Sequence, residues 1–155
     1  SGKDIVSLEG ECRHITSYLQ IQQVRYQDIL TYDVDIPEEI ANCKIPKITL
    51  QPLVENALYH GIKNKRGKGR IVVTGRREKD KCVIRVEDNG IGMTKERLNQ
   101  VRGGLTTKIE DSNDFYGLYN VNERIRLKFG EEYGLSIDSV LREGTCVEVW
   151  LPWES

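Results

Sequence analysis

Two short runs rich in valine and isoleucine, residues 70–77 and 82–88, flank the charged tetrapeptide Glu78-Lys79-Asp80-Lys81. β-Branched side chains suit a pleated surface, and a polar turn between two such runs makes them a strand pair. An isolated pair is marginal in water, so the rest of the chain has to extend and cover it. Residues 135–140 and 145–151 supply a second pair, a hairpin over Arg142-Glu143-Gly144. Ile29, Tyr32, Val34 and Ile36 mark a further strand that ends at Pro37. Elsewhere the apolar spacing changes to three and four. Leu8, Cys12, Ile15 and Leu19 predict a helix over residues 4–27. A second helix runs from Thr49 as N-cap, through Pro52 in its first turn, to about His60, with Gly61 as the stop. Residues 95–101 form a short third helix, and Leu118, Val121, Ile125 and Phe129 mark a fourth. Helices alternating with strand pairs predict an α/β fold, a two-layer sandwich with helices on one face of a mixed, mostly antiparallel sheet. Residues 93–116, broken only by the short helix, show little periodicity, and long connections of that kind are commonly functional lids.

The 155 residues allow one domain, and at that length folding hides roughly 70% of the extended chain's surface. Lys and Arg number 23 against 24 Asp and Glu, a formal charge of -1. With aliphatic residues throughout, this excludes low-complexity disorder and argues against a chain devoted to neutralising phosphate backbones. No apolar run approaches the ~20 residues of a membrane span, and nothing resembles a signal peptide. Cys12, Cys43, Cys82 and Cys146 are scattered without a C-x-x-C pair, so they read as reduced thiols of a cytoplasmic protein. The opening Ser1-Gly2 reads as an added remnant, which would make the chain part of something longer.

Three features only imitate a site. GIKNKRGKG at 61–69 approaches a P-loop, but five residues rather than four separate Gly61 from Gly67, Lys68 precedes a glycine, and no strand feeds it. Lys63, Lys65, Arg66, Lys68 and Arg70 form a basic stretch without interleaved aromatics, better explained as a solvated loop than as a nucleic-acid surface. His14 near Cys12 does not make a metal site and reads as helix surface.

Residues 82–93, CVIRVEDNGIGM, carry more. A strand ends in Asp88 and is followed by Asn89-Gly90-Ile91-Gly92. A carboxylate there can accept from an exocyclic amine such as adenine N6, and two glycines let backbone approach a planar ring or a phosphate. A charged hydrogen bond of that type contributes ~1.5–3 kcal/mol, enough to select adenine over guanine. Alone, the segment is better explained as a strand followed by an Asp-Asn-Gly turn. Upstream, LQPLVENALYHG at 50–61 puts Asn56 and His60 on one helix face, with Leu53, Val54, Ala57 and Leu58 for packing. An amide oxygen suits Mg²⁺, which takes few protein ligands beside phosphates and waters. A polar residue satisfied at a helix–sheet contact is the alternative.

Together, residues 50–61, the DNGIG turn, the loop ending Tyr116-Gly117-Leu118-Tyr119-Asn120-Val121 and the closing GTCVEVWLP resemble the GHKL (Bergerat-fold) ATP-binding domain of sensor histidine kinases, type II topoisomerases and mismatch-repair ATPases. The N-terminal LEGECRHITSYLQIQQVRY and the phrase LQPLVENALYHG resemble the LytS-like branch of bacterial sensor histidine kinases. The resemblance implies that Asn56 ligates Mg²⁺ at the phosphates and that Asp88 reads the adenine amine, with Thr145 near it through a water. Gly90 and Gly92 would line the base pocket. Gly117 and Leu118 would close the lid at the phosphates, against a helix N-terminus that favours anions. His60 would sit near the phosphates or cap its own helix. The chain also departs from the pattern. Tyr59 stands where many histidine kinases have lysine, Phe115 replaces the first glycine of a G-x-G-L lid end, and no F-x-P-F stretch precedes it. ATP-hydrolysing relatives carry a glutamate four residues before the asparagine, where this chain has Pro52. Glu55, adjacent to Asn56, is expected on a different part of the helix face. That points to phosphoryl transfer onto another nucleophile.

The implied protein is a two-component sensor histidine kinase. Residues 1–28 would be a helical connector from a dimerisation and phosphoacceptor segment, and 29–155 the cytoplasmic catalytic domain. It would bind Mg·ATP beneath a lid over 93–116 and pass the γ-phosphate to a histidine. His60 belongs to the nucleotide site and His14 lies outside any acceptor motif, so the acceptor would lie outside this chain. A response regulator would be the next acceptor, and the full-length protein a homodimer anchored in the bacterial inner membrane. Two other readings stay open: a serine/threonine kinase of the anti-sigma-factor type, and a non-enzymatic nucleotide-binding docking module.

Overall fold

The computed structural model describes residues 4–27, 29–63, 65, 67–107 and 116–153. In chain order the elements are β1 (Ile5–Ser7), α1 (Leu8–Arg25), β2 (Leu30–Asp35), a 3₁₀ turn (Glu38–Ile40), β3 (Lys44–Pro46) and α2 (Leu50–Asn56), which continues as a π-helical segment (Ala57–Ile62). Then follow β4 (Gly69–Glu78), β5 (Lys81–Asp88), α3 (Lys95–Gly104), α4 (Tyr116–Phe129), β6 (Gly134–Val140) and β7 (Gly144–Pro152). The main sheet has the order β2-β4-β5-β7-β6, with β2 parallel to β4 and the other neighbours antiparallel. This is the expected mixed sheet. β1 and β3 form a separate antiparallel ribbon, Ile5 opposite Pro46.

Alternation on the strands sets the two faces. Ile71, Val73, Ile84, Val86, Ile137, Val147 and Val149 are buried in one core with Leu8, Ile15 and Leu19 of α1, Leu53 and Val54 of α2, and Val121 and Ile125 of α4. Each fully buried side chain of this size contributes ~1.5–3 kcal/mol. Cys12, Cys43 and Cys82 join the core as free thiols. Some intervening positions carry charge: Glu148 accepts from Arg76 at 2.9 Å and lies 3.7 Å from Arg85.

Several boundaries differ from the sequence reading for identifiable reasons. Residues 5–7 pair with β3 instead of starting the helix, and Ser7 caps α1 by accepting from the Gly10 N–H at 3.1 Å. Thr49 occupies the N-cap position of α2, but its hydroxyl donates to the Pro46 carbonyl, so its side chain caps nothing. Gly61 does not stop the helix. The Lys63 N–H reaches the Leu58 carbonyl at 2.8 Å, a five-residue step that carries the helix through Gly61 to Ile62. α3 is capped by Thr94, which accepts from the Arg97 N–H at 3.1 Å, and runs on to Gly104 through residues read as loop. Phe115 and Arg66 lie outside the described residues.

Asn122, buried in α4, ties three elements together. Its Nδ2 donates to the Leu105 carbonyl at 2.9 Å and its Oδ1 accepts from the Leu135 N–H at 2.8 Å, linking the end of α3 and the start of β6 to α4. Asn122→Ala leaves both backbone groups without that partner and should lower unfolding free energy by about 2–3 kcal/mol in urea titrations. A loss below about 0.5 kcal/mol would mean that water replaces the amide at both groups.

Candidate functional site

The π-helical segment brings backbone against the end of the central strand β5. A Cβ on Gly61 would stand 2.5 Å from Asp88 Oδ1, and one on Gly90 would overlap the Gly61 backbone. Gly61 is therefore required for close approach rather than for helix termination. Single π turns recur at functional sites, where the extra residue re-aims neighbouring side chains.

Asp88 is the last residue of β5 and only 7% exposed. Its Oδ1 accepts from the Gly90 N–H at 2.8 Å. Burial raises its pKa to about 6, against the lowering effect of the Gly90 and Thr145 backbone N–H groups and of the Lys65 charge. Thr145 lies directly opposite on β7. Its hydroxyl is 2.8 Å from Ser139 Oγ, which accepts from the Met93 N–H and donates to the Gly144 carbonyl, both at 2.9 Å. Ser139 has one proton, so Thr145 gives its own to Ser139 and keeps its lone pairs. Asp88, Ser139, Gly144 and Thr145 border a cleft of about 200 Å³. Gly92, at φ +67°, packs on the β6–β7 hairpin: a Cβ would overlap the Val140 carbonyl, and the Arg142 N–H donates to the Ile91 carbonyl at 2.6 Å.

Asn56 and His60 face a second cleft, of about 140 Å³, with Pro52, Glu55, Tyr59, Gly117 and Leu118. The helix residues form one stripe at three- and four-residue spacing. Glu55 therefore shares the cleft with Asn56, contrary to the sequence expectation, because neighbours about 100° apart on a helix can border the same opening. Its carboxylate accepts from Gln51 Nε2 at 2.8 Å. Gly117 and Leu118, in the first turn of α4, form the opposite wall. Lys63 Nζ lies 5.4 Å from the centre of the Tyr59 ring.

The predicted residues thus fall into two groups joined by one helix. Asp88, Gly90 and Thr145 lie at one end; Asn56, His60, Gly117 and Leu118 lie at the other. Asn56 and Gly61 are about 7 Å apart along the axis at ~1.5 Å per residue. One end offers a buried acceptor beside bare backbone, the other an amide oxygen beside a helix N-terminus. A flat ring bearing an amine and an anionic tail match that pair. Sequence reading missed Ser139, whose signal was a polar residue at an inward position of β6. His14, expected on the helix surface, is there and bonds to Gln51.

Residues 46–155 match the family described as histidine kinase-, DNA gyrase B- and HSP90-like ATPase, and the chain belongs to that family. The GHKL resemblance and its sensor-kinase branch are borne out, and a domain of an ATPase family is an ATP-binding domain. Sensor histidine kinase YesM of Bacillus subtilis strain 168 is 37% identical over 151 residues, covering 97% of this chain and 24% of that protein. Sensor protein LytS of Staphylococcus saprophyticus is 34% identical over 150 residues, 97% of this chain and 25% of that protein. The chain spans about a quarter of the length of these curated relatives. Among solved structures, the catalytic domain of histidine kinase ThkA aligns with a TM-score of 0.68 at 11% identity, over 96% of this chain and 94% of that one. That likeness shows the shared fold.

Asp88 makes stability depend on pH. Its folded pKa, about 6, lies above the ordinary 3.8, so the folded chain binds more protons in the interval and stability falls as pH rises from about 4 to 6. Asp88→Asn removes the buried charge and keeps an oxygen for Gly90. The variant should gain on the order of 2 kcal/mol over the parent above about pH 6, and the gain should shrink toward pH 4. Urea titrations across that range check it; a pH-independent difference would refute the assignment.

Proposed function

We propose that this chain is the ATP-binding catalytic part of a sensor histidine kinase, binding Mg·ATP across the two clefts and transferring the γ-phosphate to a histidine outside it. The carrying observation is that one short helix joins the buried Asp88–Gly61–Gly90 contact to the cleft shared by Asn56 and Gly117. Asp88 accepts from the adenine amine, and Thr145, with its lone pairs free, orients a water beside it. Gly90 and Gly92 shape the floor of the base site. Asn56 and the neighbouring Glu55 give the second cleft the hard oxygen donors that suit Mg²⁺, and Asn56 would hold it. When bound, the cation neutralises phosphate charge. His60 and the first turn of α4 at Gly117 and Leu118 border the phosphates. Pro52 cannot act as a base, and the Glu55 carboxylate is engaged by Gln51, which supports transfer over hydrolysis.

On this reading, residues 1–28 connect the domain to an upstream dimerisation and phosphoacceptor segment, and a response regulator receives the phosphate. The whole protein is then a homodimer anchored in the bacterial inner membrane. The names of the relatives and the quarter of their length that this chain spans support a larger protein of that kind. Among the described residues no helix is long and apolar enough to cross a membrane.

Calorimetric titration with ATP and GTP, with and without Mg²⁺, tests the reading. ATP should bind at least about tenfold more tightly than GTP, since each tenfold is ~1.4 kcal/mol and one charged hydrogen bond distinguishes the bases. Mg²⁺ should strengthen ATP binding, and Asn56→Ala should abolish that increment. Asp88→Asn should weaken ATP binding because the new amide can face the adenine amine donor to donor. A folded chain that binds neither nucleotide would overturn the proposal and leave a docking module.

A further inference from the structure

Glu11 sits on the apolar stripe of α1 between Leu8 and Ile15 and is only 4% exposed. Its carboxylate crosses to the turn before α2. Oε1 accepts from the Ile48 N–H at 3.0 Å, and Oε2 from those of Thr49 and Leu50 at 3.0 and 3.2 Å. The cap that Thr49 does not provide is thus supplied by another helix. Charge-assisted bonds to helix-terminal N–H groups are among the stronger hydrogen bonds in proteins. From the other side, Arg124 of α4 donates to the carbonyls of Lys47 at 3.0 Å and Ile48 at 2.7 Å. Between the two charges Ile48 is held at φ +59°, a region that β-branched residues rarely enter. Ile48 is 46% exposed, so burial of its side chain does not explain the strain. Further along, His14 bonds to Gln51, and the Tyr18 hydroxyl to that of Tyr59.

We propose that Glu11 and Arg124 are positioning residues for the nucleotide site. Through the strained Lys47-Ile48-Thr49 turn they set where α2 places Asn56 relative to the first turn of α4, and so couple the position of α1 to Mg·ATP binding. This rests on the nucleotide-site reading above. α2 has seven residues, too few to hold itself in place. Its N-terminus is fastened to α1, and its C-terminus runs into a π turn. A displacement of α1 carries the three bonded N–H groups with it and changes the width of the Asn56 cleft.

The test is Mg·ATP affinity of Glu11→Gln and Arg124→Gln in the parent chain and in an Asn56→Ala background. Gln has one acceptor oxygen for three N–H groups. Arg124 is exposed, so its variant keeps the test decisive if Glu11→Gln does not fold. Each substitution should weaken Mg·ATP binding about fivefold or more in the parent and add nothing beyond Asn56→Ala, the size of an ordinary coupling. Binding of ATP without Mg²⁺ should be unchanged. Reciprocally, Mg·ATP should slow hydrogen exchange at the Ile48, Thr49 and Leu50 amides. Equal losses in both backgrounds, or unaltered affinity in folded Arg124→Gln, would overturn the proposal. A parent chain that binds no ATP would instead remove the nucleotide site itself, a failure visible before any variant is made.

Discussion

A carboxylate buried at the end of a central strand dictates how the chain must pack around it. Asp88 is ionised at neutral pH only at a cost, since burial lifts its pKa to about 6. The charge needs donors, and the Gly90 N–H supplies one at 2.8 Å. Such an arrangement leaves no room for side chains on three sides. A Cβ on Gly61 would meet the carboxylate, one on Gly90 would overlap Gly61, and one on Gly144 would overlap the Asp88 carbonyl. Three glycines from three separate segments converge on one residue. The result is an acceptor edged by bare backbone.

The surrounding sheet makes that acceptor rigid. β5 lies between β4 and β7, and Asp88 is registered against Ile71 on one side and Thr145 on the other. A residue fixed by two ladders has little freedom to relax around its own charge, so the desolvation cost persists in the folded chain. Sites built this way exchange stability for preorganisation. The cleft shared by Asn56 and Gly117 is built differently. Its wall is the first turn of α4, tied through Asn122 to Leu105 and Leu135, and its floor is a seven-residue helix held from outside. One end of the site is set by the sheet, the other by packed helices.

Much of this was legible in the sequence, and the omissions have physical reasons. Strand pairs and helices announced themselves through periodicity, which reflects a buried face. The order of the sheet did not, because alternation says which face is buried but not which strand lies beside it. β1 and β3, three residues each, are too short to carry a period. Gly61 was misread because a glycine at the end of an apolar run has the same local signature whether it ends a helix or admits a neighbouring backbone. Thr49 was misread for a related reason: the group that caps α2 lies 38 residues away from it in sequence, in Glu11. The visible sign was an acid on the apolar stripe of α1. Asp88 and Asn56 could be named together only through family resemblance, since spacing alone does not bring a strand end and a helix end into one site.

Transfer and hydrolysis place different demands on such a site. A hydrolase needs a base that holds water against the γ-phosphate at all times. The helix position that could supply one is Pro52, and the nearby Glu55 carboxylate is bound by Gln51. On the proposed reading, a domain built this way protects its nucleotide until another nucleophile arrives, and phosphoryl transfer then depends almost wholly on positioning. Control is most effective when it acts on whatever sets that position. On the reading proposed above the setting element is α2, which α1 contacts through Glu11 at its start, His14 at Gln51 and Tyr18 at Tyr59. The helix nearest the N-terminus of the chain is thus the one in contact with the helix that carries Asn56. On the proposed reading, a fold with one end set by the sheet and the other held by helices keeps its nucleotide bound while its readiness to transfer is adjusted from outside.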